Sequence, residues 1–143
     1  MKRIILLSVS LILLVISFDS CEPENLSNAE SIEGVYNCSE IYTQNDPQKQ
    51  YDYSYRVQLV VSPNDINEVY IYNFSNLGGD INTSSYATAL VDGNRLIISN
   101  QTIEGHTING SGTISSNKNR IDIQYTDDFG TGTAVANATC IRE

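Results

Sequence analysis

Chemistry in this 143-residue chain has few side chains to draw on. His106 is the sole histidine, set between Gly105 and Thr107 where the pattern predicts a turn, and a lone loop imidazole is ordinarily just solvated. No serine sits in a Gly-x-Ser-x-Gly elbow, and no glycine loop leads from a strand into a helix, so hydrolase and nucleotide chemistry lack their usual frames. Paired carboxylates could be claimed across the strands of any acidic β protein. A transition-metal site wants several His or Cys ligands, and the chain has one histidine and three cysteines. Calcium has one candidate, Asp80-Ile81-Asn82-Thr83-Ser84, with oxygens at alternating positions. The place of its closing bidentate Glu, eleven residues after Asp80, is held by Val91. The expectation is therefore a protein that is not an enzyme, with no catalytic residues, no metal and no cofactor.

The cysteines are more informative. Lys2 and Arg3 precede an apolar run from Ile4 to Phe18 interrupted only by Ser8, Ser10 and Ser17, the charged n-region and roughly 7 to 15 residue h-region of a secretory signal. The run is short of the about 20 residues that span a bilayer comfortably. It ends Phe18-Asp19-Ser20-Cys21. Ordinary signal cleavage after Ser20 would place bulky Phe18 at the third-last position, whereas a small residue followed by cysteine resembles a relaxed lipobox. The reading is a signal peptide over residues 1–20 and lipidation of Cys21, with acyl chains such as palmitate; two or more chains give the stable anchoring that one cannot. Setting Cys21 apart leaves Cys38 and Cys140 as an even pair in an oxidising compartment, where a disulfide is expected and a pair of buried thiols is the alternative.

Residues 21–33 carry Glu22, Glu24, Glu30 and Glu33 without strand alternation and read as an acidic tether. The segment is similar to the acidic stretch that follows the lipidated cysteine in lipoproteins exported to the surface of some Gram-negative bacteria. The whole chain has a net charge of −9, and removal of residues 1–20 leaves six basic against sixteen acidic residues. Such a surface repels phosphate backbones and anionic headgroups. Nucleic acid is thereby disfavoured as a partner, and membrane attachment is assigned to covalent lipid.

The elements that must position any site follow from period-two alternation and turn chemistry. Eight segments are predicted: 34–43, 53–62, 68–75, 86–91, 95–103, 107–115, 120–126 and 131–142. They are separated by turn signals such as Asn45-Asp46-Pro47, Asp92-Gly93-Asn94 and Ser116-Asn117-Lys118-Asn119. Tyr51, Tyr53, Tyr55, Val57, Leu59 and Val61 share one face of the second segment and are expected in the core. Ile121, Ile123 and Tyr125 do the same in the seventh. Val69-Tyr70-Ile71-Tyr72 is apolar on both faces and has no predicted direction. The fold class is all-β: an antiparallel eight-stranded meander over residues 34–143, closing into a small barrel that removes its bare edges. Closure makes the first and last strands neighbours and brings Cys38 beside Cys140.

The order Gly34-Val35-Tyr36, Asp92-Gly93-Asn94 into Arg95-Leu96-Ile97-Ile98, Ile108-Asn109-Gly110-Ser111-Gly112-Thr113-Ile114-Ser115 and Ile121-Asp122-Ile123-Gln124-Tyr125 resembles the lipocalin-like domains of small Gram-negative bacterial lipoproteins. Tyr36 stands where the lipocalin signature has tryptophan. The resemblance implies a small β-barrel without an assigned activity. Inside such a barrel, Gly110 and Gly112 on the sixth strand and Ala136 on the eighth leave room. Either they are bends and gaps filled by the barrel's own tyrosines, or they line a cavity for a small apolar ligand with Tyr36, Tyr53 and Tyr55 as its polar groups. The expected function is a non-catalytic binding module for a small apolar ligand or envelope partner. Its expected location is the cell envelope, lipid-anchored at the outer membrane and facing the periplasm or the exterior. The alternative is a structural or accessory subunit of an outer-membrane complex.

Overall fold

The computed structural model describes residues 28–143; the predicted signal segment and Cys21 lie outside the described residues. Strands β1 (Gly34–Asn45), β2 (Gln48–Val61), β3 (Glu68–Tyr72), β4 (Tyr86–Asp92), β5 (Arg95–Ile103), β6 (His106–Ile114), β7 (Arg120–Asp128) and β8 (Thr133–Arg142) follow one another in the chain. Each pairs antiparallel with the next, and β1 pairs with β8, so the sheet is a closed barrel. This is the predicted all-β meander. The connections use the chemistry the sequence offers: Glu104 (φ 51) and Gly105 (φ 83) form the two-residue link between Ile103 and His106, both in the left-handed region that matches the twist of a hairpin.

Alternation decides what faces inward. From β1 come Tyr36, Cys38 and Glu40; from β7 Ile121, Ile123, Tyr125 and Asp127; from β8 Ala134, Ala136, Ala138 and Cys140, all buried. In β3 the undirected sequence resolves with Val69 and Ile71 inside. Tyr70 and Tyr72 lie outside, where both pack on Tyr86 with ring centroids 4.5 and 5.3 Å away.

Register explains the small residues. Tyr125 of β7 lies opposite Gly110 on one side and Ala136 on the other, and Ile123 lies between Gly112 and Ala138. A Cβ added at Gly110 would come within 2.5 Å of the Gln124 carbonyl oxygen and of Tyr125 Cβ; at Gly112 it would meet the Asp122 carbonyl oxygen at 3.0 Å. The glycine and alanine faces are thus the space into which the large side chains of β7 fit, as dense interiors require.

Two differences from the sequence reading have simple causes. β2 begins at Gln48 rather than Tyr53, because its first part pairs with β1 while β3 joins only from Gln58, so neither face there needs to be apolar. For the same reason Tyr51 and Tyr53, expected in the core, are 38% and 40% exposed. At the other end the segment read as tether contributes to the core: the 3-10 turn Glu30–Ile32 tucks Ala29 and Ile32, both fully buried, under the barrel. Two isolated apolar residues produce no periodicity to detect.

Tyr36 seals this closed end. Its hydroxyl donates to the Ile32 carbonyl at 2.9 Å, and the Arg142 guanidinium lies 5.3 Å over its ring while donating to the Ser31 and Glu33 carbonyls. Cys38 and Cys140, paired in register, are joined by a disulfide across 102 residues of sequence. Among the described residues no helix is long and apolar enough to cross a membrane.

Gly110→Ala tests the packing role of the small-residue face. The intruding methyl meets a strand carbonyl that cannot step aside, so a loss of about 1–3 kcal/mol is expected, read as a lowered Tm. An unchanged Tm would show that there is empty space beside Tyr125.

Candidate functional site

The two ends of the barrel differ. The end opposite Tyr36, reached by the β1–β2, β5–β6 and β7–β8 hairpins, is partly covered by the segment between β3 and β4. There the sequence Asn73-Phe74-Ser75-Asn76 drops Phe74 into the interior, 4.8 Å from the Tyr125 ring and 3% exposed. To make that turn Asn73, Ser75 and Asn76 take φ of 59, 55 and 58. Asparagine tolerates this region; for Ser75 it is strain, of order ~1 kcal/mol or more, offset by burial of the phenylalanine, worth about 1.5–3 kcal/mol. Asn73 holds the segment down, its buried amide donating to the Arg56 carbonyl at 2.8 Å.

Beside this plug an opening of about 250 Å³ remains, lined by Tyr42, Tyr53, Ser75, Asn76, Leu77, His106 and Asp127. Asp127 is its chemical centre. It continues the inward face of β7 past Tyr125 and is 1% exposed. The Tyr42 hydroxyl donates to its Oδ2 at 2.8 Å, and His106 Nδ1 lies 2.9 and 3.0 Å from its two oxygens. With Nδ1 set against the carboxylate, Nε2 is the ring nitrogen left for other partners. Phe129 packs at 6.1 Å from the imidazole, and the Tyr53 ring meets the Tyr42 ring edge-on at 6.1 Å.

One layer deeper lies a second buried carboxyl group, Glu40, 2% exposed. Its Oε2 accepts from the Tyr55 hydroxyl at 2.6 Å and the Tyr125 hydroxyl at 2.9 Å, and Tyr125 is in turn hydrogen-bonded to Ser75 Oγ. Its Oε1 is buried without a partner among the described residues. Burial pushes the Glu40 carboxyl above its ordinary value, the phenol hydrogen bonds pull it back in part, and the nearby Asp127 charge adds to the rise. Tyr42, Tyr55 and Tyr125 are all raised, first by burial and then by the carboxylates beside them. They therefore remain protonated donors across the ordinary pH range.

Chemically the mouth offers an oriented imidazole on a buried aspartate, phenol faces and a strained serine. His106 and Ser75 share the opening but no hydrogen bond links them, and Ser75 is engaged by Tyr125. Among the described residues no group of three or more His, Cys, Asp or Glu side chains could hold a metal ion. The calcium candidate at Asp80 spends its oxygen on its own loop, accepting from Asn82 N and Nδ2 at 2.8 and 2.6 Å.

Of the residues singled out from sequence, Cys38 and Cys140 are brought together as the disulfide. The six assigned to a ligand do not converge. Tyr53 lines the mouth, Tyr55 holds Glu40, Tyr36 closes the far end, and Gly110, Gly112 and Ala136 flank β7 side chains. Sequence reasoning missed Glu40, Tyr42, Asp127 and the pairing of His106. A signal existed for two of them: Glu40 and Asp127 occupy core parity in Tyr36-x-Cys38-x-Glu40 and Ile121-x-Ile123-x-Tyr125-x-Asp127, where an acidic residue is out of place. A larger depression, about 860 Å³, runs along the outer wall past Ser39, Asp52, Ser111, Asp122 and Asn137. Polar side chains along it pair with one another, as in Gln124 to Asn137 and Thr139 to Asp122.

No protein-family model matches the chain, and the search of curated proteins gave no match. Among solved structures, a protein of unknown function from the DUF3598 family of Nostoc punctiforme is similar at 10% identity and a TM-score of 0.45, over 80% of this chain. This chain spans about half of that protein, covering 49% of its length.

Glu40→Gln tests the buried carboxyl. Because the folded protein holds the Glu40 proton more tightly than the unfolded chain, Glu40 is least costly below its ordinary value of 4.5, and stability is lost as pH rises from there through the folded value. Glutamine keeps an acceptor for Tyr55 and Tyr125 without a charge to bury. The variant should be more stable than wild type by roughly 1–2 kcal/mol at pH 8 and equal to it at pH 4. Denaturant titrations at the two pH values read this directly; a variant less stable at pH 8 would mean the ionised carboxylate is stabilising.

Proposed function

We propose that this protein is a lipid-anchored, non-catalytic binding module of lipocalin-like architecture, tethered at the cell envelope through Cys21 and taking a small ligand at the mouth of its barrel. The observation that carries the reading is the convergence of buried Asp127, His106 and the Tyr42 and Tyr53 rings on one opening of about 250 Å³. The barrel body below it is packed. A ligand seated among Gly110, Gly112 and Ala136 would have to displace Tyr125 and Ile123, whereas the mouth needs no such rearrangement. Ligand sites combine apolar walls with a few oriented polar groups, and the plug residues Ser75, Asn76 and Leu77 complete one wall. The anchor is supported by the sequence around Cys21, by the poor ordinary cleavage site that Phe18 creates, and by a charge too negative for electrostatic attachment.

A second reading, an accessory subunit of an envelope complex, is favoured by the outer wall of β3 and β4. Tyr70 stacks on Tyr86 and Tyr72 packs against it at a tilt, with Leu90 of β4 42% exposed; aromatic surface of this kind is enriched at protein interfaces.

Cys21→Ser should move the protein from the membrane to the soluble fraction, and a variant that stays membrane-bound removes the anchor from this reading. Native mass spectrometry of protein purified from its own membranes should show a co-purifying small molecule that Asp127→Asn loses. One dominant crosslinked protein partner in cells, with no small molecule retained, would replace the carrier by the accessory subunit.

A further inference from the structure

We propose that the mouth is a site for a small organic ammonium ion, the charge set against Asp127 and the carbon skeleton against the Tyr42 and Tyr53 rings. This rests on the mouth-binding reading above and names its ligand class.

The charge of the barrel is unevenly placed. Of the six basic residues between 28 and 143, Arg95, Lys118, Arg120 and Arg142 lie at the closed end or in its hairpins, and Arg56 is paired on the outer wall with Glu143 at 2.8 Å. Only Lys49, in the β1–β2 hairpin, belongs to the mouth end. That end carries Asp46, Glu104 and Asp128 in or beside its turns, and the buried Glu40 and Asp127 inside. Acidic groups around a low-dielectric opening focus a field that concentrates cations there. A carboxylate or phosphate ligand would meet the repulsion of these acids.

The contact groups fit the same sign. Asp127 Oδ1 takes only the His106 contact, while Oδ2 takes both Tyr42 and His106, so acceptor capacity remains on Oδ1. The two tyrosine rings stand edge-on to one another at 6.1 Å and 67° on the wall of the opening. Ring faces attract an ammonium group, the more so as it is desolvated. Deeper in the barrel Glu40 Oε1 is without a partner among the described residues, an acceptor that adds to the negative character of the interior. A metal ion would need several ligands at once, and among the described residues no such group exists; an ammonium ion needs one carboxylate and aromatic walls. An opening of about 250 Å³ admits a compact molecule rather than a fatty chain, since pockets for drug-sized ligands run from roughly 300 to 1,000 Å³.

The test uses full-length protein in detergent and three probes of one shape: 2-phenylethylammonium, the neutral 2-phenylethanol and the anionic phenylacetate. Titrations are followed by calorimetry and by the NMR signals of His106 and the Tyr42 and Tyr53 rings. The ammonium ion should move these signals and bind at least tenfold tighter than the alcohol, with phenylacetate weakest. Asp127→Asn should remove that preference. Because Asp127 is buried and its variant can fail to fold, Tyr53→Ala, at an exposed position, is the second variant and should weaken ammonium binding several-fold without changing the rest of the spectrum. Alcohol or carboxylate binding at the mouth as tight as the ammonium ion would overturn the cation assignment and leave mouth binding standing. Calcium chloride moving the same signals at lower concentration would replace the ammonium ion by a metal. No response of these signals to any probe would remove both the cation assignment and the mouth as a site.

Discussion

The pairing of β1 with β8 is the constraint from which the rest follows. A meander of eight strands left open would have two bare edges; joined through nine residue pairs from Tyr36 with Arg142 to Gln44 with Ala134, and stapled in register by Cys38 and Cys140, it has none. Closure also removes freedom from every other strand. Once the first and last strands are in register, the alternation of each strand can no longer slip by one residue without turning its apolar set outward. Inward positions are therefore determined all the way round, including those occupied by residues that would not choose burial. Glu40 and Asp127 are inside because the parity of β1 and β7 puts them there.

Burying two carboxyl groups in so small an interior is costly, and the structure shows how the cost is met. Three tyrosine hydroxyls and one imidazole are aimed at them: Tyr55 and Tyr125 at Glu40, Tyr42 and His106 at Asp127. The tyrosines are thus more than volume. The rings of Tyr125 and Tyr42 pack beside Gly110 and Ala136 while the three hydroxyls donate to the acids, leaving Glu40 Oε1 without a partner among the described residues. The two tasks are inseparable at Tyr125, which packs against Phe74 and bonds to both Glu40 and Ser75. A core with no polar groups would be simpler to pack. The retained acids sit at the one end of the barrel that stays open, and the division between a filled body and a polar mouth underlies the proposed binding role.

The strained turn at Asn73, Ser75 and Asn76 belongs to the same division. By carrying Phe74 into the barrel it completes the packing of the body, and by leaving Ser75, Asn76 and Leu77 along the opening it shapes the mouth. Its energy balance is one of local backbone strain against apolar burial. This balance is invisible in the sequence, where Phe74 and Ser75 look like the end of the third strand.

What the sequence by itself determined is the part governed by local rules. Alternation in Tyr55-Val57-Leu59 and Ile121-Ile123-Tyr125, turn chemistry at Asp92-Gly93-Asn94, and the cysteine count were enough for eight strands, their order, a closed meander and the Cys38–Cys140 bridge, because each depends on neighbours in the chain or on the adjacency of its two ends. The expected anchor at Cys21 is local in the same sense. Only the tertiary structure decided the rest. That Gly110 and Ala136 flank Tyr125, that Tyr51 and Tyr53 stand where β3 no longer pairs with β2, and that His106 meets Asp127 across 21 residues depend on register between strands and on where each strand ends. Those relations connect residues that no periodicity along the chain relates, and so the mouth, unlike the barrel that carries it, appeared only when the strands were assembled.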